Sequence, residues 1–339
     1  MSVKRRPKAL IALNPEANLH TFGPGQRARL ESLVDLVRAT PIERWDEPRV
    51  ADELAQIEIL ITGWGAPAVD RAILAAAPHL ALIAHLAGSV KGLVDPAAWD
   101  RGILVTSAAA ANAEPVAEFT LGAILLFNKR ALQLRDLYRE VRRSVKVERH
   151  RMPGIGNYRK TIGIIGASAI GRRVIELLAP FSFQVLLYDP YVGAEEAERL
   201  GVRIVELDTL VAESDVVSIH APATPQTHHM IDQRRLRLMR DHAILINTAR
   251  GSLVDQEALV EELRTGRIEA LLDVTDPEPL PPDSPLYDLR NVFLTPHIAG
   301  SIGTEAHRLT ESILREIERF VAGEPLAHPV RGELLERLA

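Results

Sequence analysis

Short apolar segments alternate with stretches of helical spacing along this chain, and the alternation runs through twice. The first set comprises Ala9–Leu13, Ile57–Thr62, Leu80–His85 and Gly102–Thr106, separated by helix-like stretches such as Gly25–Ala39 and Pro67–Ala77. The second comprises Thr161–Ile165, Gln184–Tyr188, Val202–Val205, Val216–His220, Ala243–Asn247, Glu269–Asp273 and Asn291–Leu294. A helix between two strands carries the chain back to its starting edge, so such strands pair in parallel. The expected fold class is α/β, with two doubly wound parallel-sheet domains and a ligand cleft between them. A long helical segment, about Glu114 to Arg149, separates the two sets. The last helix, about Thr304 to Ala322, is amphipathic, with Leu309, Ile313, Ile317 and Phe320 at helical spacing.

Composition narrows the function. The 339 residues suffice for two domains, and 47% hydrophobic with 25% charged residues is a globular balance. Aromatics are only 4%, so Ala, Leu, Ile and Val must build the core. A formal net charge of −5 gives no general attraction to nucleic acid or to an anionic membrane. The nine Lys and Arg residues between Lys129 and Arg151 therefore read as a solvated helix face. The chain has no cysteine, which excludes disulfides and thiolate chemistry and fits a cytoplasmic location. No signal-peptide stretch follows the basic segment Met1–Lys8, and the apolar run Ala72–Ala87 is too short to span a bilayer. His228 and His229 are adjacent but lack converging ligands, so no metal is expected.

The segment Gly163-Ile-Ile-Gly166-Ala-Ser168-Ala-Ile-Gly171 follows an apolar strand and opens a helix. A tight turn with close backbone approach needs small residues, and the helix N-terminus favours a pyrophosphate. Ser168 stands where the usual pattern has its middle glycine. Asp189 ends the next strand, at the spacing where a carboxylate receives ribose hydroxyls. An acid there repels a 2′-phosphate, which favours NAD over NADP.

Three more segments carry chemistry at strand ends: Asn247-Thr-Ala-Arg250-Gly251, Asp273-Val-Thr-Asp-Pro-Glu278, and Thr295-Pro-His297-Ile-Ala-Gly300. With the glycine turn, Val116-Ala-Glu118, His220-Ala-Pro222 with Thr227, and Leu263-Arg-Thr-Gly266, they resemble the D-isomer-specific 2-hydroxyacid dehydrogenase family over nearly the whole chain. The resemblance implies a Rossmann-type NAD domain over 107–302 that carries a dimer-arm helix. A discontinuous, flavodoxin-like substrate domain would cover 1–106 and 303–339. It implies a homodimer acting on a small 2-hydroxy or 2-oxo acid. Arg250 would bind the substrate carboxylate in a bidentate fork, and His297 would be the general acid/base with Glu278 orienting its ring. Cofactor contacts would come from Gly166, Ser168, Ala169, Ile170, Gly171, Asp189, His220, Ala221, Pro222, Thr227, Thr248, Ala249, Asp273 and Gly300. Asp273 would meet the nicotinamide carboxamide.

The substrate loop His85-Leu-Ala-Gly88-Ser89-Val90-Lys91 departs from the family's glycine-rich version, and Gly88, Ser89 and Val90 would supply carboxylate-binding N–H groups. Ala169 stands where relatives often carry an Arg. Trp64, on the loop Thr62–Ala66, falls where phosphoglycerate-oxidising relatives place an Arg, so an unphosphorylated acid is expected. Two alternatives share the fold: an NAD-sensing corepressor-like binding protein, and a formate- or phosphite-type dehydrogenase. Formate members carry Gln where Glu278 stands.

Overall fold

The computed structural model describes residues 5–152 and 154–337, in two compact units. The first runs to Asn112 and resumes at Ser301; the second runs from Ala113 to Gly300. The first four residues of the basic N-terminal segment, and the last two positions of the expected substrate domain, lie outside the described residues.

The first unit is built on β1 (Lys8–Ala12), β2 (Asp35–Leu36), β3 (Ile59–Thr62), β4 (Leu82–His85) and β5 (Leu104–Ser107). They form one parallel sheet in the order β2-β1-β3-β4-β5. Successive side chains point to opposite faces, and both faces are covered, so these strands are apolar nearly throughout. Leu10, Leu60, Ile83 and Val105 belong to the core on one face. Ala9, Ile11, Ile59, Ile61 and Leu82 belong to the other, where helix Ala306–Ala322 buries Leu309, Ile313, Leu314 and Ile317. Phe320 packs against that core, partly buried.

The second unit contains β6 (Thr161–Ile165), β7 (Gln184–Tyr188), β8 (Arg203–Ile204), β9 (Val216–Ile219), β10 (Ile244–Asn247), β11 (Glu269–Leu272) and β12 (Val292–Leu294). All are parallel, in the order β12-β11-β10-β9-β6-β7-β8. In each sheet the winding reverses at one place, between β1 and β3 in the first and between β6 and β9 in the second. Loops leaving the C-terminal ends of strands at such a point diverge and leave room for a ligand.

Three expected helices differ from what forms. The stretch expected over Pro67–Ala77 is helical only from Arg71 to Ala76, because Val69 donates to the Leu93 carbonyl at 2.7 Å and the Asp70 side chain caps the helix at the Ile73 N–H. The helix expected over Gly25–Ala39 spans Gln26–Leu33 only, because Asp35 and Val37 donate backbone bonds of 2.9 Å to Pro7 and Ala9 and make β2 an edge strand. Helical spacing that ran on past Leu33 hid this strand, whose pairing partners are distant in sequence. The segment expected over Glu114–Arg149 starts earlier and is three helices, Ala109–Asn128, Ala131–Val141 and Lys146–Arg151. Left-handed backbone at Arg130 and Arg142 breaks it. Arg130 is drawn inward by a buried ion pair with Glu269 and a 2.7 Å bond to the His242 carbonyl. No helix among the described residues is long and apolar enough to cross a membrane.

Candidate active site

The turn after β6 shows why its glycines are where they are. Gly166 has φ 96°, and a Cβ there would stand 2.7 Å from the Ala221 nitrogen. A Cβ on Gly171 would stand 2.0 Å from the Gly166 carbonyl oxygen. The turn is therefore packed directly on the His220-Ala221-Pro222 segment that leaves β9, the neighbouring strand at the reversal point. Ser168 caps helix Ala169–Leu178, its hydroxyl accepting from the Gly171 N–H at 3.3 Å. A serine is thus accommodated at the middle glycine position as a cap. Among the described residues the N–H groups of Ser168, Ala169 and Ile170 have no protein acceptor.

Asp189 follows β7 and turns its carboxylate back onto this turn, accepting from the Ala167 N–H at 2.7 Å and the Tyr191 N–H at 2.8 Å. The His220 ring is buried, with Nε2 2.9 Å from the Ser218 hydroxyl and Nδ1 without a partner. Uncommitted N–H groups at a helix start, a cradle that a Cβ would fill, a ribose-type carboxylate and an orphaned buried nitrogen fit a dinucleotide. Thr227 is occupied locally, donating to the Pro222 carbonyl at 2.6 Å and accepting from the Thr224 N–H at 2.9 Å. Its contribution is to shape the loop after β9.

Adjacent strands β10, β11 and β12 deliver the chemical groups. After β10 the Asn247 side chain folds the turn: its Nδ2 donates to the Arg250 carbonyl at 2.8 Å and its Oδ1 accepts from the Ala249 N–H at 3.1 Å. Thr248 lies buried, 3.3 Å from the Thr120 hydroxyl. Arg250 donates to the Ala249 carbonyl at 2.6 Å and has no carboxylate partner among the described residues. A Cβ on Gly251 would stand 2.0 Å from the Thr275 carbonyl carbon, so the arginine turn is pressed onto the loop that carries Glu278.

After β11, buried Asp273 organises the histidine loop. Its carboxylate accepts from the Thr295 hydroxyl at 2.6 Å, the Ile298 N–H at 2.8 Å and the Ala299 N–H at 2.9 Å. The Asp273 carbonyl accepts from the His297 N–H at 3.0 Å. These bonds hold His297 in left-handed backbone, φ 55°, which a non-glycine residue adopts only when its surroundings fix it. The ring is half exposed, and its Nδ1 lies 2.6 Å from Glu278 Oε1. With Nδ1 on the carboxylate, Nε2 is left to face a reactant. Gly300 closes the loop just past Ala299. Asn247, Gly251 and Thr295 thus have positioning parts that sequence reasoning did not assign, although all three lie inside the motifs that it quoted.

In the first unit the loop after β3 carries Trp64. The Trp64 carbonyl accepts from the Asn14 N–H at 3.0 Å and from Asn18 Nδ2 at 2.8 Å. Cβ atoms on Gly63 and Gly65 would come within 2.7 Å of Asn18 and 2.6 Å of Asn14, so both flanking glycines are required. The indole is half buried against the core that includes Leu13 and Leu86. After β4, the N–H groups of Gly88, Ser89 and Val90 have no protein acceptor among the described residues. The rings of His228 and His229 stack with centroids 3.9 Å apart.

Residues 121–299 match the D-isomer-specific 2-hydroxyacid dehydrogenase NAD-binding domain. The chain belongs to this family. It is accordingly an NAD-dependent oxidoreductase of 2-hydroxy acids. The glyoxylate reductase of Korarchaeum cryptofilum is 35% identical over 269 residues, 79% of this chain and 81% of that protein. The D-3-phosphoglycerate dehydrogenase of Archaeoglobus fulgidus is 36% identical over 269 residues, but these span only 50% of its length. A phosphoglycerate oxidoreductase from Rhizobium etli shares the fold, with a TM-score of 0.82 at 24% identity, covering 97% of this chain and 99% of that one.

Two buried histidines in this 2-hydroxyacid dehydrogenase contribute to its acid sensitivity. Burial lowers the pKa of His85 to about 4 and of His220 to about 3, from 6.5. Below pH 6.5 the unfolded chain takes up protons that the native chain refuses, so stability falls as pH falls toward these values. Each histidine costs about 1.4 kcal/mol per pH unit in that window, or about 2 kcal/mol in each unit by pH 5. Urea midpoints measured at neutral pH and at about pH 5, above most carboxylate titration, should differ accordingly. Equal midpoints would show that the two rings are not held neutral.

Proposed function

We propose that this dehydrogenase interconverts a small, unphosphorylated D-2-hydroxy acid and its 2-oxo acid, with Arg250, His297 and Glu278 as its chemical set. The observation that carries the reading is the His297–Glu278 pair at 2.6 Å, held in strained backbone by Asp273 beside an arginine with no carboxylate partner among the described residues. NAD(H), when bound, would supply or accept the hydride at C2. Arg250 engages the substrate carboxylate with two parallel N–H bonds, a geometry that lysine cannot reproduce. His297 Nε2 gives a proton to the C2 oxygen during reduction and takes it back during oxidation. Glu278 fixes the ring through Nδ1, so that Nε2 stays directed at the reacting oxygen. The unpaired N–H groups of Gly88, Ser89 and Val90 bind the carboxylate of the acid, and Trp64 faces its side chain.

The turn after β6 would hold the pyrophosphate on Ser168, Ala169 and Ile170, with Asp189 on the adenosine ribose. Tyr191, not a cation, shares the Asp189 carboxylate. NAD(H) should therefore bind at least about ten-fold more tightly than NADP(H), a difference of about 1.4 kcal/mol. Fluorescence titration with both cofactors checks this, and equal affinities would refute the role of Asp189.

The same reading makes the protein a homodimer through the arm that follows Ala109–Asn128. Helix Ala131–Val141 is amphipathic yet has no fully buried residue, and Leu126, Tyr138 and Val147 are exposed along this stretch. Apolar side chains arranged that way are suited to covering by a second copy. The activity is tested by offering NADH with a panel of 2-oxo acids and following cofactor absorbance. Turnover of small or apolar acids supports the reading; no turnover of any acid, with NADH bound, would favour a binding protein on this fold.

A further inference from the structure

We propose that His85 is the positioning residue of the Gly88–Val90 loop, anchoring it to the end of β3 through a hydrogen bond with Thr62. The inference rests on the reading of that loop as the carboxylate-binding one. His85 is the last residue of β4 and lies in register with Thr62, the last residue of β3. Both are buried, 3% and 0% exposed, and His85 Nδ1 lies 2.9 Å from the Thr62 hydroxyl. The remainder of β4 is Leu82-Ile-Ala84, so an apolar residue would have continued the strand. A buried imidazole without partners would be costly, and its presence calls for a task that an aliphatic residue cannot perform.

The surroundings indicate that task. The Leu86 N–H donates to the Thr62 carbonyl at 2.7 Å, and the Ala108 N–H donates to the carbonyls of His85 and Ala87, each at 3.0 Å. These bonds end at Ala87. Beyond it, the N–H groups of Gly88, Ser89 and Val90 have no protein acceptor among the described residues, so nothing in the backbone pattern fixes their directions. Burial lowers the pKa of the His85 ring, and the Ser89 backbone presents an acceptor toward it that opposes this shift. The ring thus lies between Thr62, which leads into the Trp64 loop, and the uncommitted N–H run. Its pKa of about 4 keeps the ring neutral, with one donor and one acceptor nitrogen. Through this ring the two loops of the first unit are set relative to each other. Three N–H groups bind an anion well only if they already converge before it arrives.

The test uses the full-length protein with Thr62→Val, Thr62→Ser and His85→Asn. Thr62→Val removes the hydroxyl at nearly constant shape, and Thr62→Ser restores it. Thr62→Val and His85→Asn should raise KM for the 2-oxo acid about ten-fold, with kcat and the NADH Kd within about two-fold of the natural chain. Hydrogen–deuterium exchange of the amides at 88–90 should accelerate in both, and Thr62→Ser should recover both readouts. Unchanged exchange in Thr62→Val and His85→Asn would overturn the anchoring. Faster exchange with unchanged KM would overturn its role in substrate positioning. If the natural chain turns over no 2-oxo acid while exchange still accelerates, the functional reading falls and the anchoring stands.

Discussion

Replacing His297 with Asn is expected to lower kcat for reduction of a 2-oxo acid by about a thousand-fold, within the range for a lost general acid. Asn keeps a polar side chain and tolerates left-handed backbone, so the φ of 55° at this position is not a reason for the loop to rearrange. The bonds that organise the loop run from Asp273 to the backbone of residues 297–299 and to the Thr295 hydroxyl, and none uses the imidazole. The NADH Kd should therefore stay within about two-fold, which separates lost chemistry from lost structure. Glu278→Gln should give a smaller loss in the same direction, because the ring keeps a hydrogen-bond partner but loses the charge. A His297→Asn variant with near-natural kcat would remove this residue from the mechanism. This outcome would return the function to a binding role.

Discrimination against a phosphorylated acid is the second large effect. The chain should prefer 2-oxo acids with small or apolar side chains over 3-phosphohydroxypyruvate by more than about a hundred-fold in kcat/KM, because an unpaired buried phosphate costs several kcal/mol. On the proposed reading, Trp64 would present an apolar ring with a single N–H where an Arg would neutralise that charge. The loop has little freedom to bring a cation in from elsewhere. Asn14 and Asn18 both bond the Trp64 carbonyl, and close contacts with the same two residues exclude side chains at Gly63 and Gly65. Trp64→Ala should change the ranking among apolar acids while NADH affinity stays nearly constant. Efficient turnover of the phosphorylated acid, as the likeness to phosphoglycerate dehydrogenases makes worth testing, would overturn this view of the pocket.

The parallel sheets were legible because their strands are buried on both faces and therefore read as short continuous apolar runs. β6 and β7 begin and end where expected, since the glycine turn and Asp189 mark their ends. β2 escaped because two residues held by backbone bonds to a distant strand have no periodicity to read. The break at Arg130 escaped because its cause, a buried ion pair with Glu269, joins residues far apart in sequence. The chemical residues were visible as motifs at strand ends. Their supports were less so: Asn247, Gly251 and Thr295 act through contacts that only three dimensions supply. The Asn14–Asn18 clamp on Trp64 lies outside every motif and had no local signal at all.

The most direct test of the central claim is to follow the hydride itself. Reduction of a turned-over 2-oxo acid with NADH carrying deuterium at the transferable position of its nicotinamide should place that deuterium at C2 of the product. The product should be the D-isomer on the proposed reading, and the label should be read by mass spectrometry and chiral chromatography. A product of L configuration, or one in which C2 carries hydrogen from solvent in place of the label, would contradict the account.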